Sequence, residues 1–144
     1  MFNFFKKLFS KTIDSTIYID SDNYRSMIIE LNLNNPNEII AKNVDHKIIS
    51  IYYNDIVRIS IIVDGSDYLP QQRWTVQTAK DVIHISNDLT NADKLFFEIL
   101  NIKLDGYSSD ETQQKILEAQ ACVGDGFFHI WQRSDADEIF KSID

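Results

Sequence analysis

The chain of 144 residues is poor in the residues that build special sites. It has one cysteine, four glycines and two prolines. A lone Cys122 cannot close an internal disulfide, which excludes a disulfide framework and leads us to expect a reduced thiol in a cytoplasmic protein. Four glycines leave no GxGxxG fingerprint, no Walker loop and no GxSxG elbow. The same scarcity excludes collagen-like and low-complexity classes. No apolar run reaches the ~20 residues that span a bilayer. Positive charge is also short: 14 Lys+Arg stand against 22 Asp+Glu, a formal net charge of −8. That balance argues against a nucleic-acid binder, whose footprint on phosphates is basic.

Chemistry-bearing side chains are scattered. His46, His84 and His129 do not fall at metal-ligand spacing, and Cys122 has no cysteine partner. Neither metal nor cofactor is expected. His84 alternates with Ile83 and Ile85, and His129 with Phe128 and Ile130, which directs both toward solvent or a polar seam. A catalytic Cys122 would need a positive neighbourhood to lower its pKa, yet its nearest charges in sequence are Glu118 and Asp125. Asp105, Asp110 and Glu111 could form a carboxylate pair, but a Gly-containing loop between helices is an ordinary place for solvated acids. The expectation is a protein that is not an enzyme.

What the chain does have is 44% hydrophobic and 25% charged residues, the balance of a globular domain with a real core. One domain over residues 1–144 is expected. Its charge is uneven. Residues 1–11 hold Lys6, Lys7 and Lys11 and no acid; 12–80 hold nine acids and six bases; 81–144 hold thirteen acids and five bases. Aspartates outnumber glutamates 16 to 6, which places much of the negative charge at turns and helix starts.

The pattern predicts α+β. Phe2, Phe5 and Phe9, with Leu8, make one face of a short amphipathic N-terminal helix over 1–11. It is expected to dock on the domain, with weak membrane-surface contact as the alternative. Lys6 and Lys7 split the apolar stretch that a secretory signal requires. Thr16–Asp20 reads as a strand. Residues 22–33 read as a helix carrying Met27, Ile28 and Leu31, with buried strand as the alternative. Asn34–Asn37 is a turn. Five short β-branched or aromatic runs follow, at 38–42, 47–52, 56–63, 73–78 and 82–86, each bounded by turn residues. They predict an antiparallel meander of about five strands, with 56–63 central because it is apolar on both faces. A helix over 91–102, started by Thr90 and Asp93, packs on one face with a stripe of Leu95, Phe96, Ile99 and Leu100. A second helix starts at Ser109 or Asp110 with a weaker stripe of Ile116, Leu117 and Gln120-Ala121. Phe127–Trp131 is a last strand, and Asp135 opens a terminal helix holding Ile139 and Phe140. Trp74, Ile59, Ile61, Phe96 and Ile99 are the expected core.

The run Ile49-Ser50-Ile51-Tyr52-Tyr53-Asn54-Asp55-Ile56-Val57-Arg58-Ile59 resembles the strand–Asp-Ile–strand step of bacterial PH-like domains. Tyr52 to Trp131 as a whole is similar to a family of small bacterial proteins of that kind. Its features are matched by Trp74, Leu95–Leu104, Gly106-Tyr107-Ser108 and Phe127–Trp131. The junction at Gly106 lacks the following Asp, and the Asp64-Gly65 loop is extra. The resemblance implies a PH-like meander with C-terminal helices. It carries over no catalytic residue.

Small, acidic chains without catalytic groups resemble bacterial immunity proteins and antitoxins. The expected function is therefore direct binding that neutralises a basic, nuclease-type toxin, since carboxylates complement a phosphate-binding surface. The candidate contacts are Asp105, Asp110 and Glu111 in one inter-helix segment, and Asp64 and Asp67 on one hairpin tip. The alternative is a PH-like membrane-surface or protein-interaction module.

Overall fold

The computed structural model describes residues 27–64, 71–108, 110–122 and 124–143. The expected helix over 1–11 with its membrane contact, the strand Thr16–Asp20 and the hairpin residue Asp67 lie outside the described residues. The architecture is α+β and its sheets are antiparallel. Strands β1 (Ile28–Asn32), β2 (Glu38–Asn43) and β3 (Ile48–Tyr52) form one sheet in that order. Strands β4 (Arg58–Asp64), β5 (Gln71–Gln77), β6 (Val82–Ser86) and β7 (Gly126–Gln132) form a second, ordered β6-β5-β4-β7. The β4 strand is central, as its two apolar faces predict.

The five expected strands thus fall into two sheets rather than one. The break is the 3-10 turn Tyr53–Asp55, where the Tyr53 ring turns into the core and the Ile56 N–H bonds to the Tyr53 carbonyl at 3.2 Å. On the far side the sheets approach again through a bridge between Met27 and His84.

Residues 28–32 are a strand, not the helix expected over 22–33. The register shifts between Ile28 and Glu30, so a bulge puts Ile28 and Leu31 on the same buried side. Buried residues three apart then mimic a helical stripe.

Helix α1 runs from Ala92 through three contiguous segments, Ala92–Lys94, a π-helical Leu95–Ile99 and Leu100–Lys103. Its start differs from the expected Thr90–Asp93 cap. Asn91 adopts φ 76° and its Nδ2 donates to the Leu31 carbonyl at 3.1 Å, which ties the helix to β1. Phe96 stacks on Trp74 with centroids 4.0 Å apart, and Phe97 meets the same indole edge-on at 6.0 Å. Leu95, Phe96 and Leu100 are fully buried, while Ile99 is half-buried against the core. Gly106 at φ 80° turns the chain so that Tyr107 can bury. Helix α2 (Asp110–Gln120) buries Thr112, Ile116 and Ala119, and Leu117 faces solvent, against the expected stripe. The anchor is the Thr112 hydroxyl on the Ile130 carbonyl at 3.4 Å.

The main apolar cluster draws on both sheets, α1 and α2. The opposite face of the four-stranded sheet holds a second, smaller cluster of Val57, Ile62, Ala136 and Phe140, the last two from α3 (Ala136–Ile143). No helix among the described residues is long and apolar enough to cross a membrane.

Candidate functional site

The second face of the four-stranded sheet carries a row of buried polar side chains. Arg58, Ser60, Thr75, Gln77 and His84 are each no more than 6% exposed. Arg58 lies 4.6 Å over the Phe140 ring, donates to Gln132 Oε1 at 3.2 Å and reaches Asp137 at 4.0 Å. Burial lowers its pKa, with Asp137 opposing. The Thr75 hydroxyl and His84 Nδ1 are 3.1 Å apart. His84 Nε2, Arg58 Nε and both amide atoms of Gln77 have no hydrogen-bond partner among the described residues. His84 is therefore in a polar seam and not at the surface.

The histidines do not converge. His46 is an exposed turn residue at φ 64°. Burial pushes the His129 pKa down to about 4, helped by Arg58 and Lys115 and opposed by Glu111. Among the described residues no three potential metal ligands gather. Cys122 packs against the core, with its Sγ 3.7 Å from the Gly124 carbonyl and 3.9 Å from that of Asp125.

The predicted acids divide. Asp105 lies in the turn after α1, where its carbonyl accepts the Trp131 indole N–H at 2.7 Å and its side chain is exposed. Asp110 and Glu111 open α2, where the helix dipole favours acids, and Glu111 pairs with Lys115 at 3.5 Å. Asp64 ends β4, largely buried, 4.0 Å from Arg73. Trp131 pairs with Ile59 near the start of β4. Six residue steps, about 20 Å, separate that end from Asp64. The two predicted sets are therefore not one patch.

The end that holds Asp105 gathers acids that sequence reading missed. Register places Arg58 beside both Gln77 and Gln132, so the segments before β4, between β5 and β6 and after β7 meet there. Arg133 stitches them: its N–H bonds to the Val57 carbonyl at 2.8 Å, its Nη1 to the Asn54 carbonyl at 2.7 Å and its Nε to Asp135 Oδ1 at 2.7 Å. That hydrogen bond to Arg133 lowers the Asp135 pKa. Thr78 Oγ1 accepts the Lys80 and Asp81 N–H groups at 3.1 and 2.9 Å, fixing the β5–β6 turn.

Between these segments lies a cleft of about 240 Å³, lined by Ser50, Ile51, Asp55, Val57, Thr78, Ala79, Lys80, Asp81 and Arg133. Asp55 also lines a neighbouring hollow with Tyr52, Tyr53 and Lys103. Asp55, Asp81, Asp105 and Asp110 make no ion pair among the described residues. Only the turns at Asn54-Asp55 and Lys80-Asp81 were legible beforehand; their meeting depends on strand register. No family model, no curated protein and no solved structure matches the chain.

Proposed function

We propose that this protein is a non-catalytic acidic binding protein of the immunity type, which neutralises a basic nuclease-type toxin by direct contact. The supporting observation is the set of exposed carboxylates Asp55, Asp81, Asp105 and Asp110, which make no ion pair among the described residues; Asp55 and Asp81 line one cleft at the end of the four-stranded sheet that holds Asp105. Asp55 and Asp81 stand on turns fixed by Arg133 and Thr78, Asp105 on a turn whose carbonyl takes the Trp131 indole N–H, and Asp110 on the first turn of α2, so they are presented without long flexible tethers. Carboxylates fixed in this way complement the cationic surface that holds phosphates, and they steer association. Asp64 drops out of the contact set because it is tied to Arg73 at the other end of β4.

The test mixes the purified protein with basic secreted nuclease domains and reads nuclease inhibition and association rate. Stoichiometric inhibition is expected, with an on-rate that falls as salt rises. Reversal of all four carboxylates to lysine should lower the on-rate about tenfold or more at low salt. Absence of inhibition, or an on-rate indifferent to the reversals, overturns the reading.

A further inference from the structure

Among the described residues β3 is an edge to which no strand pairs, its Ser50 bordering the cleft before the β5–β6 turn. The other sheet edges have neighbours among the described residues: β1 and β6 approach each other at the Met27–His84 bridge, and α2 packs against β7 with Thr112 bonded to Ile130. Along Ile48–Tyr52 there is no charge, no proline and no bulge against β2. The phase of its hydrogen bonds is set by two neighbours. The Asn43 N–H bonds to the Lys47 carbonyl and the Tyr53 N–H to the Asn37 carbonyl, so the odd-numbered residues bond inward to β2. Ile48, Ser50 and Tyr52 therefore turn their N–H and C=O groups outward. The same three residues carry exposed side chains, with Ile48 60% and Tyr52 54% accessible.

We propose that this edge pairs with the β3 edge of a second copy of the chain, antiparallel about a twofold axis at Ser50. That register sets Ile48 opposite Tyr52 of the second copy, and every outward N–H and C=O finds a partner. Each exposed isoleucine then packs on an exposed tyrosine, an aliphatic–aromatic cross-strand pair that stabilises sheets. Charge fits as well. Exposed Lys47 precedes the strand and exposed Asp55 follows it, so antiparallel pairing brings the lysine of each copy toward the aspartate of the other. The two three-stranded sheets become one continuous sheet across the axis.

The test is the solution mass of the full chain by light scattering and sedimentation. A mass twice that of the monomer is expected. Ser50→Pro removes an outward N–H that β2 does not use, and proline is tolerated on an edge, so it should give a folded monomer. Tyr52→Lys sets lysine on the apolar seam and should do the same if the proline variant fails to fold. Leu117→Lys, at an exposed apolar residue on α2, should leave the dimer intact. A wild-type monomer at the highest soluble concentration overturns the proposal. So does a dimer that survives both β3 changes, or one that Leu117→Lys dissolves.

Discussion

His84 is 5% exposed, and its second ring nitrogen has no hydrogen-bond partner among the described residues. Burial holds its pKa down at about 4, and Arg73 adds to the effect. The unfolded chain takes up this proton near the ordinary value of 6.5, so between about 6.5 and 4 the unfolded state binds more protons than the folded one. The stabilising contribution is complete above about 6.5 and is lost as pH falls toward 4, by roughly 3 kcal/mol for a shift of this size. His129 acts in the same direction. Urea unfolding at about pH 7.5 and about pH 4.5 should show the lower midpoint at acid pH. His84→Gln should flatten that slope, and a slope unchanged by this replacement would place the titration elsewhere. The alternation of the strand told which side His84 takes. It could not tell that the side is covered, because burial of that face depends on what packs over it.

At the scale of elements, β1 and α2 show the same ambiguity from opposite sides. In β1 a bulge gives a strand the three-residue spacing of a helix. In α2 the expected stripe runs through Leu117, yet the helix is rolled so that Thr112, Ile116 and Ala119 face β7. Ile116→Ala should cost about 2–4 kcal/mol in urea unfolding, as for a large-to-small change in a packed core. Leu117→Ala should stay within about 0.5 kcal/mol. Equal costs would mean the roll of the helix is wrong. Phe96→Ala removes the ring stacked on Trp74 and should cost about 3–5 kcal/mol, with loss of the near-ultraviolet signal of the indole.

At the scale of the molecule, the net charge of −8 gives the two proposed contacts different responses to salt. Binding of a cationic toxin joins unlike charges and weakens as ionic strength rises. Pairing of two copies through β3 rests on main-chain bonds and the Ile48–Tyr52 contacts, and screening weakens both its two Lys47–Asp55 attractions and the repulsion of like net charges, so salt moves it little. Sedimentation across a salt series should show the dimer holding while toxin association slows. A dimer that dissociates with added salt would point to a charged interface in place of β3.

Local residue order alone determined the α+β class, the antiparallel strands from 38 to 86, the helix beneath Trp74 and the turns that hold the aspartates. These follow from the side-chain period and turn chemistry within a few residues. Tertiary structure decided the division into two sheets, the bulge in β1, the roll of α2 and the cover over His84. It also decided that Asp55 and Asp81 line one cleft at the end of the sheet that holds Asp105 while Asp64 stands apart, and that β3 is an edge among the described residues. Each of these depends on the register between strands distant in sequence. A shift of one residue in that register would exchange the faces and the neighbours without altering any local pattern.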